Sequence, residues 1–248
     1  MMTMDRQRLI DKFEGLMAQI QRPGVERLME YVRKSDFYKA PASTKYHLCC
    51  EGGLLLHSLN VLAALREMMV KENDGQNEDG TPKIKYHYAV AGQFVTTIPE
   101  ESMVIIALLH DICKTNYYSI STRNVKNEET GKWEKQPFYA VNDKMPLGHG
   151  AKSAMIIKEY IKLTTEEMYA IWWHMGFTDT EDKATLSQAI KSYPLIWALH
   201  TADMMASYFM EGEKGNKPPF DELQYLREAA PVSSADGDEP VFQEAIAL

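Results

Sequence analysis

The chain has 248 residues, enough for one large domain or two small ones with a sizeable core. Its composition is that of a soluble globular protein, 45% hydrophobic and 25% charged, and its longest apolar run falls well short of the roughly 20 residues that a membrane span needs. A net charge of −8 argues against tight nonspecific binding to duplex nucleic acid, which needs a basic surface, but leaves room for a small anionic substrate held through a metal ion.

The pattern along the chain is mostly helical. The start, "MMTMDRQRLIDKFEGLM", lacks the basic-then-apolar order of a signal peptide, and residues 4–20 have helical spacing. Residues 23–35 continue as helix with Pro23 near the first turn, and "APAST" (40–44) interrupts the chain. Cys49 and Cys50 are adjacent, and with Cys113 they make no disulfide framework; a reducing cytoplasm is the expected setting.

A helix is expected over 53–70, with Leu54, Leu55, Leu59, Leu62, Leu65 and Met69 along one stripe. The acidic stretch "KENDGQNEDGTPK" reads as a solvated loop; it fails the calcium-loop pattern because Asp79 stands where the turn glycine belongs. Thr97 and Glu100 have capping-box spacing ahead of a helix that ends at His110-Asp111. Residues 117–142 alternate around "ETGK" and predict an inserted β-hairpin, the only sheet expected.

Helices return at "LGHGAKSAMIIKEYIKL", at "TTEEMYAIWWHMG" with a Thr164–Glu167 capping box and Gly176 as its stop, and at "SYPLIWALHTADMMASYFM" with Pro194 at its start. Trp172, Trp173 and Trp197 are assigned to the core. The expectation is therefore an all-α fold: one helical domain over 1–210 with one hairpin, then an acidic, Gly/Pro-containing extension over 211–248 with two short helical pieces.

Polar residues stand out on these apolar helices. His57 lies mid-helix, His110-Asp111 closes another, His149 sits between two glycines, His174 precedes Gly176, and Asp203 is inside the last long helix. A lone buried histidine is more often a satisfied core residue than a ligand. A buried mid-helix carboxylate is different: unpaired, it costs several kcal/mol, and no Lys or Arg lies one turn from Asp203 on its helix. A metal ion would serve all of these residues together. Imidazole with carboxylate suits Mn, Fe, Co, Ni or Zn, with Mg admitted, rather than calcium. Cys113 is read as core.

The stretches "FYKAPASTKYHLCCEGGLLLHSLNV", "ALLHDICK", "LGHGAKS" and "LHTADMMA", in this order over roughly residues 36–210, resemble the HD-domain metal-dependent phosphohydrolases. The likeness is greatest to the HD catalytic half of bacterial 3′→5′ exoribonucleases that also carry an OB-fold, and to HD hydrolases of phages and gut bacteria that share the hairpin. The resemblance implies an HD-domain helical bundle with one or two divalent transition-metal ions. His57, His110, Asp111 and Asp203 would hold the first ion; Asp111, with His149 and His174, would extend the site to a second. A metal-activated hydroxide would attack phosphorus, with Lys114 steadying a phosphate oxygen.

His47 is retained where the exoribonucleases have two adjacent histidines, and Cys113 replaces a common glycine. His47, Arg123, Lys152 and His200 are candidate substrate contacts. With the OB-fold portion absent and the charge at −8, the expected substrate is a nucleotide or short oligonucleotide rather than long RNA. A catalytically silent HD module that senses a nucleotide or partner is the alternative; a structural metal site, which tends to be closed and thiolate-rich, is the weaker one. The oligomeric state is left open.

Overall fold

The computed structural model describes residues 2–211 apart from 79, 179 and 181, with side chains from residue 6 onward. The first two helices, α1 (Met2–Met17) and α2 (Val25–Lys34), are joined by a turn in which Pro23 stands outside the helix. Leu28, Met29 and Val32 give α2 its buried face. Residues 35–52 form a loop tied to the start of α3 (Gly53–Met68): Gly52 N–H donates to Lys39 O at 3.0 Å and Leu54 N–H to Ala40 O at 2.9 Å. A side chain at Gly53 would meet the Leu48 carbonyl at 2.1 Å, so only glycine admits the loop this closely.

Helix α3 is apolar on nearly every face, as is α4 (Glu100–Leu109), and both are buried accordingly. The remaining helices are α5 (His149–Lys158), α6 (Thr165–Trp172), α7 (Lys183–Ser192) and α8 (Leu195–Met205), the last continuing as a π-helical turn, Ala206–Met210. Helix α3 packs against α4, α8 and this turn. The main core runs through elements from Leu9 to Met210, and a smaller one gathers Leu186, Ala189 and Ile196 of α7 and α8. No helix among the described residues is long and apolar enough to cross a membrane.

The all-α expectation is overturned. Beside the eight α-helices, the described residues form five antiparallel strands in two sheets, so the fold is mixed α/β. The stretch read as a solvated loop belongs to a three-stranded sheet of β1 (Met69–Gln76), β2 (Pro82–Val90) and β3 (Gln93–Pro99), in the order β1-β2-β3. Val90 pairs with Gln93, and the two residues between, Ala91 and Gly92, take φ of 50° and 78°, the conformation of a tight primed turn. Met69, Tyr86 and Ile98 are the buried residues through which this sheet joins the core.

The Thr97–Glu100 capping box does not form. Thr97 lies in β3, its Oγ1 bonded to His87 Nδ1 at 2.8 Å, and α4 opens after Pro99 without a side-chain cap. The predicted hairpin is present as β4 (Tyr118–Lys126) and β5 (Trp133–Val141), as a second sheet rather than the only one. The Thr164–Glu167 capping box forms as expected. Trp172 and Trp197 are each 41% exposed and so are not core residues, whereas Trp173 is half-buried and packs against the buried cluster of Leu186, Ala189 and Ile196. Helix α7 was not foreseen, and the two short helical pieces expected beyond residue 211 lie outside the described residues.

Candidate metal centre

Four segments deliver one cluster of side chains. His57 projects from the middle of α3, His110 is the C-terminal cap of α4 with Asp111 directly after it, His174 lies in the turn after α6, and Asp203 is in α8. His57 Nε2 stands 3.2 Å from Asp203 Oδ1, 3.6 Å from Asp111 Oδ2 and 3.3 Å from His110 Nε2. His110 Nε2 is 3.5 Å from Asp111 Oδ2, and His174 Nε2 is 3.6 Å from Asp111 Oδ1. Donors held about 2.1 Å from one ion at octahedral to tetrahedral angles would themselves lie about 3.0–3.4 Å apart. These separations are close to that.

The backbone sets which ring nitrogen faces the cluster. His110 Nδ1–H donates to Ala107 O at 2.9 Å and His174 Nδ1–H to Ile171 O at 2.7 Å; a carbonyl only accepts, so the proton sits on Nδ1 and Nε2 turns inward. This outer support is the usual arrangement behind a ligating imidazole. Asp111 Oδ1 and His174 Nε2 are buried without a hydrogen-bond partner. A buried polar atom left unpaired is expensive. The residues therefore fit a divalent transition metal: two triads of nitrogen and oxygen donors that share His110, no thiolate, and in the second triad Asp111 Oδ1 and His174 Nε2, which face each other at 3.6 Å without a hydrogen bond.

Charge is distributed to match. Burial pushes His110 down to about 4 and keeps it neutral. Burial opposes a charge on His57, but the Glu211 and Asp203 carboxylates outweigh it and raise the group to about 10. Burial would also raise Asp111, yet Lys114, then the surrounding histidines, hold it well below the usual carboxylate range. Lys114 Nζ lies 2.6 Å from Asp111 Oδ2 and donates to Ala42 O at 2.8 Å, so it neutralises Asp111 on one oxygen and leaves the other unbonded.

A second group, His47, His57 and Glu211, also has metal-ligand types in reach of one another. It differs in being saturated. Glu211 accepts from His47 Nδ1 at 2.5 Å, from His57 Nδ1 at 3.0 and 3.1 Å, and from Asn60 Nδ2 at 3.0 Å. Leu48, directly after His47, takes a φ of 42°, a strained value for leucine, with its carbonyl accepting from Ala42 N–H at 3.1 Å. Glu211, placed by the sequence in the C-terminal extension, is thus fully buried beside the cluster. It carries no motif of its own; the one local trace is that Asn60 shares the face of α3 with His57, three residues on.

The other expected site residues are placed differently. His149 belongs to none of the three His/carboxylate groups; its Nδ1 is 3.5 Å from Cys113 Sγ and its ring lies against Tyr117. Cys113 is buried as expected, and burial pushes its thiol up to about 12. Lys152 is buried and bound to both oxygens of Asp143, at 2.6 and 2.7 Å. His200 Nδ1–H donates to the His174 carbonyl at 2.7 Å rather than pairing with Asp203. Arg123 is exposed on β4, over the ring of Phe138. No family model, no curated protein and no solved structure matches the chain.

Proposed function

We propose that this chain is a metal-dependent phosphoric ester hydrolase of the HD type, acting on a nucleotide or short oligonucleotide in a reducing cytoplasm. The observation that supports it is the meeting of two triads at His110, His57–His110–Asp203 and His110–Asp111–His174, the second holding two buried atoms without a hydrogen bond, Asp111 Oδ1 and His174 Nε2. When bound there, a divalent transition metal supplies Lewis-acid polarisation of a phosphoryl oxygen and brings the acidity of a water near neutrality.

The chain's own residues do the rest. His110 and His174 are held by backbone carbonyls, and Asp111 by Lys114, so the donors need little reorganisation to receive charge. His57, His110, Asp111 and His174 are closed off from solvent, whereas Asp203 and His47 (15% each) and Lys114 (13%) keep an exposed edge. A phosphate approaches from that edge, where the Lys114 ammonium, with an N–H beyond those given to Asp111 and Ala42, offers a donor to a non-bridging oxygen.

Protein purified without chelators, then supplied in turn with Mn, Co, Ni, Zn and Mg, is assayed on p-nitrophenyl phosphate, bis(p-nitrophenyl) phosphate, nucleotides and short oligonucleotides, beside Asp111→Asn. Metal-dependent turnover lost in the variant supports the hydrolase. Tight nucleotide binding with no turnover under any metal would replace it with the silent sensing module.

A further inference from the structure

The π-helical turn Ala206–Met210 widens the end of α8 where it packs on α3, and the next residue, Glu211, comes to lie against His57 and Asn60. Such turns inside helices recur at functional sites. Both carboxylate oxygens are taken: Oε1 by His57 and Asn60, Oε2 by His47 and His57. Of the three histidines whose Nε2 atoms meet at the cluster, His110 and His174 are oriented by backbone carbonyls, and His57 by this side chain.

We infer that Glu211 is a positioning residue for the centre: it fixes His57 as the Nδ1–H tautomer, so that Nε2 faces Asp203 and Asp111, and it ties His47 into the same network. The inference rests on the reading of the five-residue cluster as a metal site. Glu211 itself is not a ligand, because three donors already occupy its lone pairs. A carboxylate behind a ligating imidazole orients the ring and raises its basicity, and removing such a partner weakens metal affinity by about 10–100-fold. A glutamine at 211 would present an amide N–H₂ to His57 Nδ1 or to His47, favouring the tautomer whose Nε2 carries the proton and cannot ligate.

The test pairs two readouts on the full chain: whether His57 Nδ1 carries a proton in metal-free protein, from two-bond ¹H–¹⁵N correlations, and Mn²⁺ affinity by calorimetry. Wild type is expected to show Nδ1–H at His57, whether or not Nε2 is also protonated toward Asp203. Glu211→Gln is expected to lose the Nδ1 proton and bind Mn²⁺ about 10–100-fold more weakly. Asn60→Ala, which leaves the His57–Glu211 bond in place, is expected to keep it. An unprotonated Nδ1 in wild type overturns the inference without any variant having to fold. Unchanged Nδ1 protonation and affinity in Glu211→Gln also overturn it, while leaving the metal reading intact. If wild type binds no metal, the metal reading fails by itself, and the Nδ1 proton of Glu211→Gln still decides whether Glu211 orients His57.

Discussion

Lys114 and Asp111 form a buried ion pair, Nζ to Oδ2 at 2.6 Å, inside the cluster that presents Asp111 Oδ1 unbonded. The pair divides the carboxylate between a fixed cation of the chain and the proposed ion. Removing the lysine strands a buried charge, which typically costs about 3–5 kcal/mol. Lys114→Met is therefore expected to lose that much stability in chelator and to recover more of it than wild type gains when Mn²⁺ is added. Urea unfolding with EDTA and with saturating Mn²⁺ measures both; equal metal effects in the two proteins would separate Lys114 from the centre.

Binding to the folded state alone stabilises by mass action, about 2.7 kcal/mol at a hundredfold excess over Kd. For a domain of this size that corresponds to a rise of about 5–11 °C in Tm. His174→Ala should abolish the rise, since a lost ligand outweighs the 10–100-fold effect of an outer partner. His149→Ala should retain it, because His149 lies beside Cys113 and Tyr117 and outside the His/carboxylate groups. Thermal melts with and without Mn²⁺ read this directly, and loss of the shift in His149→Ala would restore His149 to the ligand set.

The parts of this molecule that were legible in the sequence are those fixed by local pattern. The apolar runs of α3, α4 and α8 announce buried helices, and Thr164 with Glu167 caps α6 because both partners lie within one turn. The same spacing at Thr97 and Glu100 misleads because tertiary pairing wins: Thr97 is drawn across the sheet to His87, and Glu100 pairs with Arg66. Strand β1 was illegible because its Lys-Glu-Asn-Asp-Gly run is largely solvent-facing and mimics a loop, and β2 begins just after a second Asp-Gly, which hides where that loop ends. Five of the six expected ligands converge, each marked by a polar residue on an apolar helix. Glu211 was hidden since its partners, His47, His57 and Asn60, are more than 150 residues away in the chain.

Arg22 reaches Glu167 through two bonds, 2.7 and 2.6 Å, and Glu167 also closes the cap of α6. Burial would raise the Glu167 carboxyl; Arg22, then Ser102 and the Thr164 amide, overcome it and hold it below its ordinary value of 4.5. The unfolded chain then takes up a proton at higher pH than the folded one. The contribution is full above pH 4.5 and is lost as pH falls through the lower folded-state value. Glu167→Gln should be less stable than wild type at pH 7, with the gap closing below that point. Urea melts from pH 3 to 7 test it, and a gap that stays constant across the range would rule out the linkage. Arg22→Met, which strands the buried carboxylate, should cost about 3–5 kcal/mol at pH 7.

Gly176 holds the turn behind His174 at φ 60°, and a side chain there would meet His200 Cε1 at 2.8 Å and Nε2 at 2.9 Å. His200 in turn donates Nδ1–H to the His174 carbonyl. Gly176→Ala should therefore act twice, through left-handed strain and through a displaced His200, for a loss of about 1–3 kcal/mol. The two effects separate in a double-mutant cycle. In a His200→Ala background the steric part vanishes, so Gly176→Ala should cost less there by at least about 0.5 kcal/mol. Mn²⁺ affinity should fall in Gly176→Ala and in His200→Ala alike, because both loosen the turn that aims His174 Nε2 at Asp111. Additive stabilities with unchanged affinity would show that this turn supports the fold and not the centre.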